Sequence, residues 1–237
     1  MSETVWHDTE CGAYSADLAL WEQLAGEARG PILDLGAGSG RVALHLARRG
    51  HTVVGLDVDP ELVATLAERA QGLPLRPTLA DARAFELDTD VALAVAPMQL
   101  VQLLPSRADR LECLGCVAAH LLPGGRIALA IVEELPQESD GPPPLPDVRE
   151  VDGWVYSSLP VDTVSIGEEI VIRRLRQTVS PAGELQEEGN EIRIRMLSAA
   201  ELEDEGRESG LVPLERREIP ATALHVGSTV VVLGREG

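Results

Sequence analysis

The 237-residue chain has no lysine, and all 20 of its basic residues are arginine. Its 39 acidic residues give it a formal net charge of −19 at pH 7. Nucleic acids and anionic membranes bind proteins through basic contacts to phosphate groups. This charge therefore argues against both as partners.

Cysteines and long apolar runs are also scarce. Three cysteines do not make a disulfide framework, and no apolar run approaches the ~20 residues that span a bilayer. Cys113, Cys116 and His120 share a helical face but lack a fourth ligand, so no metal site is expected. With no signal peptide at its start, the chain is expected to be cytoplasmic.

Residues 32–41 form the most informative segment, in which an apolar run leads through Asp34 into Gly-Ala-Gly-Ser-Gly-Arg. Glycines lack a Cβ atom, so the backbone can bend sharply there and let a ligand approach closely. The helix predicted from Val42 to Arg49 directs unpaired N–H groups and a positive dipole towards the bend. The segment therefore predicts a binding site for a nucleotide-like ligand.

The spacing of these glycines differs from that of dinucleotide-binding turns. Those turns need glycine at the sixth position of G-x-G-x-x-G, where this chain has Arg41. The carboxylate of Asp34 would repel a pyrophosphate and hold a ligand that carries an ammonium group. A nicotinamide-dependent oxidoreductase is therefore the less favoured alternative.

The pattern Asp-x-Gly-x-Gly-x-Gly from Asp34 resembles motif I of the class I methyltransferases, which bind S-adenosylmethionine. A second strand that ends at Asp57, the segment 80–82 and the segment 121–125 follow in the order typical of this family. The resemblance implies an α/β fold: a seven-stranded, mostly parallel sheet with helices on both faces and an inserted small antiparallel sheet. The absence of lysine is typical of a GC-rich, actinobacterial genome.

The resemblance also implies a site for S-adenosylmethionine. Asp57 would accept both ribose hydroxyls, Asp81 would accept the adenine amino group, and Val58 would lie against the adenine. The implied cofactor-binding residues are Tyr14, Asp34, Gly36, Ala37, Gly38, Asp57, Val58, Asp81, Ala82, Ala96 and Gln102.

Two of these residues have a structural alternative. Tyr14 either covers the methionine end of the cofactor or anchors an amphipathic helix together with Trp21. Gln102 either binds the cofactor or acceptor or lies on a helix surface.

The implied activity is methyl transfer to a small molecule through O, N or C. The stretch 96–99 reads Ala-Pro-Met-Gln and lacks the Asn/Asp-Pro-Pro-Tyr typical of methylation at planar nitrogens. Glu133 and Glu134 follow the fifth strand and are candidates for binding or deprotonating an acceptor; a solvated acidic loop is the alternative. A protein that binds S-adenosylmethionine without methylating also remains open.

The chain is expected to divide into a cofactor-binding core (1–147), an inserted sheet (148–197) and a C-terminal helix with a hairpin (198–237). Residues 133–147 are rich in proline and predict a linker or lid. The strands expected after it are 153–159, 169–179, 191–197, 212–219 and 228–233. The inserted sheet would cap the acceptor site or form the contact of a homodimer.

Overall fold

The computed structural model describes residues 2–134, 145–223 and 225–237. The helices are α1 (Glu3–Cys11), α2 (Leu18–Glu27), α3 (Arg41–Arg48), α4 (Pro60–Arg69), α5 (Leu100–Leu103), α6 (Arg107–His120) and α7 (Ala199–Glu208). The strands are β1 (Ile32–Leu35), β2 (Val53–Asp57), β3 (Leu75–Leu79), β4 (Val91–Ala96), β5 (Leu121–Ile131), β6 (Asp147–Val151), β7 (Trp154–Ile166), β8 (Glu169–Val179), β9 (Leu185–Arg195), β10 (Val212–Pro213), β11 (Arg217–Ile219) and β12 (Ser228–Gly234).

The larger sheet has the strand order β10-β12-β5-β4-β1-β2-β3, with β11 also paired to β12. Strands β1 to β5 are parallel, and β12 runs antiparallel to β5. Every residue of β1 and β2 is buried, as expected for central strands covered on both faces. The order reverses between β1 and β4, which places a crevice at their carboxyl ends.

Helices cover both faces of this sheet. Successive residues of a strand point to opposite faces, so Ile32 packs in the cluster that includes α2, α3 and α4. The next residue, Leu33, packs in the cluster that includes α6 and α7. The predicted α/β fold with helices on both faces is confirmed.

Side chains cap the starts of two helices. Asp59 accepts hydrogen bonds from Glu61 N and Leu62 N at 2.8 and 3.1 Å, with Pro60 in the first turn of α4. Ser198 and Glu201 form a complete capping box at the start of α7. Among the described residues, no helix has the length and apolar character needed to cross a membrane.

The run 212–219 forms two short strands rather than the single predicted strand, so the described sheet has eight strands. The register changes from Pro213 opposite Leu233 to Arg217 opposite Val230. Three residues of this edge therefore face two of β12, which is a β-bulge. The extra residue breaks the pairing, and the predicted seven-strand count is corrected to eight.

The inserted sheet is a four-stranded antiparallel meander in the order β6-β7-β8-β9. Three strands were predicted there: β6 was missed, and β9 begins at Leu185 rather than residue 191. Residues 185–189 are exposed, so they show no alternation of apolar and polar side chains. The predicted linker or lid at 133–147 falls mostly on residues 135–144, outside the described residues.

Candidate cofactor-binding site

A cavity of about 540 Å³ opens at the carboxyl ends of β1, β2 and β4. Seven of the predicted cofactor-binding residues line it, together with Arg41 and Val42 at the start of α3. Those seven are Asp34, Gly36, Ala37, Asp57, Val58, Asp81 and Ala82. The strand order reverses at this point, so the cavity lies where open α/β sheets bind ligands.

The glycine turn depends on backbone conformations that favour glycine. Gly36, Gly38 and Gly40 have φ angles of +64°, +54° and +104°. A Cβ atom on Gly38 would lie 2.2 Å from His7 Nε2, and one on Gly36 would lie 2.8 Å from Leu100 Cδ1. The turn can therefore pack tightly against its neighbours only without side chains at these positions.

Asp57 ends β2 and is tied to the turn. Its Oδ2 accepts a hydrogen bond from Gly38 N at 2.8 Å, and its Oδ1 accepts one from Asp59 N at 3.0 Å. Each oxygen keeps a further lone pair for a ligand. The next residue, Val58, lines the cavity and is 67% exposed, which leaves an apolar surface for a flat ring.

Asp34 is 1% exposed, and its Oδ1 has no hydrogen-bond partner among the described residues. Burial raises the pKa of this carboxyl to about 7, although the nearby Arg41 and a hydrogen bond from the Ala43 backbone oppose the rise. Arg41 itself is held by Asp17 through two hydrogen bonds of 2.6 and 2.7 Å. An unpaired, buried carboxyl oxygen at a cavity fits a ligand that brings an ammonium group.

Asp81 is bound by Arg83, which donates from Nε and Nη2 at 3.0 and 2.6 Å. Hydrogen bonds from Arg83 lower the pKa of Asp81 to about 2, so the carboxylate is ionised at neutral pH. Arg83 also bonds Asp109 of α6, which fixes the guanidinium. The Asp81 carboxylate therefore remains an acceptor with a defined orientation.

Tyr14 lies in the loop between α1 and α2, so the predicted helix shared with Trp21 is wrong. The chain turns after Cys11, and the new helix begins only at Leu18. The Tyr14 ring is half-buried, 4.8 Å from the His225 ring and 5.2 Å from the Arg41 guanidinium carbon. It is not part of the cavity lining.

Three other predicted cofactor contacts, Gly38, Ala96 and Gln102, also lie outside the lining. Ala96 is the last residue of β4 and is fully buried. Gln102 donates from Nε2 to the carbonyls of Val132 and Arg195 at 3.0 and 2.9 Å, and its Oε1 accepts from Val132 N at 2.8 Å. Both amide hydrogens of Gln102 are thus used to join the end of β5 to β9.

The two acidic residues after β5 lie apart from the cavity lining. Glu133 accepts a hydrogen bond from Ala199 N at 2.8 Å and one from Thr229 Oγ1 at 2.7 Å. It therefore joins the first N–H group of α7 to β12 in this structure. Glu134 is exposed.

The sequence did not indicate His7 and Cys11, which line the cavity from α1. Burial raises the pKa of the Cys11 thiol to about 11, so it is protonated at neutral pH. Pro97, Met98 and the stretch 103–105 form an apolar wall on the other side. For Pro97 and Met98 the sequence did hold a signal. They follow the end of β4 at Ala96, and the chain after this strand must pass the crevice.

Residues 32–125 match the family profile of a methyltransferase domain. The chain is 35% identical over 95 residues to Hemagglutinin 1 of Eikenella corrodens. This matched stretch covers 39% of this chain and 31% of that protein. It is 50% identical over 46 residues to the 2-heptyl-1-hydroxyquinolin-4(1H)-one methyltransferase of Mycobacteroides abscessus, 19% of each chain. The matched stretches thus span less than a third of these relatives.

Solved structures extend the likeness to the whole chain. The sugar N-methyltransferase KedS8 from Streptoalloteichus matches with a TM-score of 0.79 and 17% identity, over 100% of this chain and 93% of that one. CalS10, an amino pentose methyltransferase from Micromonospora echinaspora solved with S-adenosylmethionine, matches with a TM-score of 0.73 and 20% identity, over 98% and 96%. The fold is therefore that of the class I methyltransferases. Within it, residues 32–125 are the part that matches the methyltransferase-domain profile.

Proposed function

We propose that this protein is an S-adenosylmethionine-dependent methyltransferase that acts on a small molecule through O, N or C. The observation that carries the proposal is the cavity at the strand ends. It combines the glycine turn with an unpaired buried carboxyl at Asp34, a bound carboxylate at Asp57 and an exposed apolar residue at Val58. These groups match the ammonium group, ribose and adenine of S-adenosylmethionine.

Each part of the cofactor has a proposed partner. Asp34 holds the ammonium group, and Asp57 accepts the ribose hydroxyls. Val58, Asp81 and the Ala82 amide bind the adenine. Contacts from Tyr14, Ala96 and Gln102 remain predictions that the geometry of the cavity does not support directly.

When bound, the cofactor supplies a methyl group that is already activated by its sulfonium. The protein's part is to orient the acceptor in line with that methyl group and to exclude water. Pro97, Met98 and residues 103–105 supply an apolar wall for this purpose. The neighbours' names, a sugar N-methyltransferase and an amino pentose methyltransferase, make amino sugars the first acceptors to try.

Calorimetry with purified protein tests the cofactor assignment. Binding of both S-adenosylmethionine and S-adenosylhomocysteine is expected, while NAD and NADP, the cofactors of the alternative class, are expected not to bind. Absence of binding by either sulfur nucleoside contradicts the proposal. Release of S-adenosylhomocysteine with a panel of small acceptors then separates a methyltransferase from a protein that binds the cofactor without methylating.

The catalytic role of Glu133 and Glu134 stays a prediction. The pair Glu133→Gln and Glu134→Gln tests it, because glutamine keeps the shape and removes the base. If either glutamate is catalytic, its replacement lowers kcat with little change in the free energy of unfolding. Glu133 accepts hydrogen bonds from Ala199 N and Thr229 Oγ1. If its role is only structural, Glu133→Gln lowers the free energy of unfolding instead of kcat.

The remaining assignments concern the whole protein. We propose a cytoplasmic enzyme and retain the division into 1–147, 148–197 and 198–237. The inserted sheet caps the acceptor site or forms a homodimer contact. Light scattering separates these two roles, because only the second gives a dimer that mutations on this sheet dissociate.

A further inference from the structure

Helix α1 is held in place above the glycine turn by contacts on two sides. Towards the core, Asp8 pairs with Arg69 of α4, with Nη2 and Oδ2 2.5 Å apart. Towards the inserted sheet, Glu10 accepts two hydrogen bonds of 2.8 and 2.9 Å from Arg176 of β8. Side chains on the inner face of α1 therefore have a defined position at the cavity.

His7 is such a side chain. Its ring lies against Gly38, where an added Cβ atom would be 2.2 Å from Nε2. The backbone N–H of the same glycine donates to Asp57 Oδ2 at 2.8 Å. His7 Nε2 and the Asp57 carboxylate thus adjoin the same residue of the turn, and both line the cavity.

A hydrogen-bond chain fixes the tautomer of His7. The Ser39 hydroxyl has one hydrogen, which it donates to Asp8 Oδ1 at 2.6 Å. The 3.2 Å contact between Ser39 Oγ and His7 Nδ1 therefore takes its hydrogen from the ring. In the neutral ring, Nε2 then carries a lone pair and acts as an acceptor.

The surroundings keep this ring neutral. Burial lowers the pKa of His7 below its ordinary value, while Asp8 and Asp57 raise it and Arg41 and Arg69 lower it. At neutral pH the ring therefore presents an acceptor beside Asp57.

We propose that His7 Nε2 is a second hydrogen-bond acceptor for the ribose of the cofactor, an inference that rests on the proposed function. A ribose offers two neighbouring hydroxyl donors. Both Asp57 oxygens already accept a backbone N–H, so a second acceptor beside this carboxylate can take one of the two ribose hydroxyl hydrogen bonds. Ser39 and Asp8 act as positioning residues, because they orient the ring.

The test combines protein variants with altered ligands. Calorimetry measures S-adenosylhomocysteine and its 2′-deoxy and 3′-deoxy forms against wild type, His7→Leu and His7→Gln. His7→Leu is expected to bind S-adenosylhomocysteine about 3- to 10-fold more weakly, which corresponds to one hydrogen bond. His7→Gln is expected to retain part of the affinity, since its amide oxygen can accept.

A double-mutant cycle, which pairs the His7→Leu substitution with each deoxy ligand, gives the specific signature. If His7 accepts from a ribose hydroxyl, removal of that hydroxyl weakens binding to wild type more than binding to His7→Leu. Glu3→Gln, on the exposed side of α1, is the matched control and is expected to bind as wild type does. Equal losses in both proteins for each deoxy ligand overturn the inference, as does unchanged affinity of His7→Leu.

A second measurement covers the case in which His7→Leu does not fold. Nitrogen-15 NMR of the histidines in the full-length protein is expected to show His7 protonated at Nδ1, with a shift of Nε2 on addition of S-adenosylhomocysteine. Protonation at Nε2, or no shift on binding, overturns the inference. If wild type binds no sulfur nucleoside, the proposed function fails as well; if it binds and only the His7 signature is missing, the inference alone fails.

Discussion

At the scale of single residues, the buried carboxyl of Asp34 is the most informative group of the cavity. A carboxyl with a pKa of about 7 is half protonated near neutral pH. An ammonium group brought next to it favours the ionised form and lowers this pKa. Ligand binding should therefore drive a proton off the protein.

This gives a prediction for the binding of S-adenosylmethionine. At pH 7, about half a proton should be released per ligand bound, and less at higher pH, where Asp34 is already ionised. Calorimetry in buffers with different heats of protonation measures the number of protons. Asp34→Asn is the control and should release fewer protons and bind more weakly; equal release by both proteins would contradict the assignment of Asp34.

A second residue-scale prediction concerns Gly38. Alanine there must adopt a φ of +54° and would bring its Cβ to 2.2 Å from His7 Nε2. Gly38→Ala should therefore lower the free energy of unfolding by about 1–2 kcal/mol and weaken cofactor binding more than tenfold. Chemical denaturation and calorimetry measure the two effects.

Gly26→Ala is the matched control for that substitution. Gly26 lies in α2, and an added Cβ would have no atom within 4 Å. Alanine in a helix restricts the unfolded chain, so this variant should gain up to about 1 kcal/mol and bind normally. A stable, fully binding Gly38→Ala would show that the turn tolerates side chains.

Single residues also show what the sequence can tell of a site. Asp34, Asp57, Val58 and Asp81 all line the cavity, because each lies within two residues of the carboxyl end of a parallel strand. The carboxyl ends of such strands meet at one edge. His7 could not be placed this way, since it reaches the turn from a helix that precedes the first strand.

At the scale of elements, the same contrast applies to the strands. β1 and β2 are apolar apart from Asp34 and Asp57 and were predicted from these apolar runs. β6 has no fully buried residue and the first half of β9 is exposed, so their pairing depends on neighbouring strands rather than on a local pattern. The bulge between β10 and β11 likewise follows from register with β12.

The joint between the two sheets yields a prediction at this scale. Gln102 of α5 bonds the backbone at Val132, after β5, and at Arg195, the end of β9. Gln102→Leu leaves these buried groups without partners and should lower the free energy of unfolding by about 2–3 kcal/mol. Urea denaturation measures the loss, and hydrogen exchange of the Val132 amide should become faster.

Gln23→Leu is the control for this substitution. Gln23 is exposed on α2, and its amide donates to Glu27 one turn along the same helix. Its replacement should change the free energy of unfolding by no more than about 0.5 kcal/mol. A Gln102→Leu protein as stable as this control would exclude the joint as a source of stability and reopen a ligand-binding role for Gln102.

At the scale of the whole molecule, the net charge of −19 dominates the electrostatics. Like charges spread over a small protein repel one another and destabilise the compact state. Arginines form ion pairs with some of the acidic residues. In the interior, for example, Arg110 Nη2 lies 2.6 Å from Glu205 Oε1. Pairing cannot cancel the charge, however, since the chain has 39 acidic and 20 basic residues.

Salt should therefore stabilise this protein. Raising sodium chloride from about 0.01 M to about 0.15 M shortens the Debye length from ~30 Å to ~8 Å, which screens repulsion across the surface. The same salt weakens exposed ion pairs, but these contribute less than about 1 kcal/mol each. Repulsion is the larger effect, so we expect the thermal midpoint to rise with salt at pH 7.

Chloride is the salt to use, because sulfate also strengthens the burial of apolar surface. The same salt step near pH 5 is the control, since acidic groups begin to take up protons there and the net charge falls. The rise in the thermal midpoint should be smaller at that pH. A midpoint that falls with chloride at pH 7 would mean that ion pairs, such as those of Arg173 and Arg193 on the inserted sheet, outweigh the repulsion.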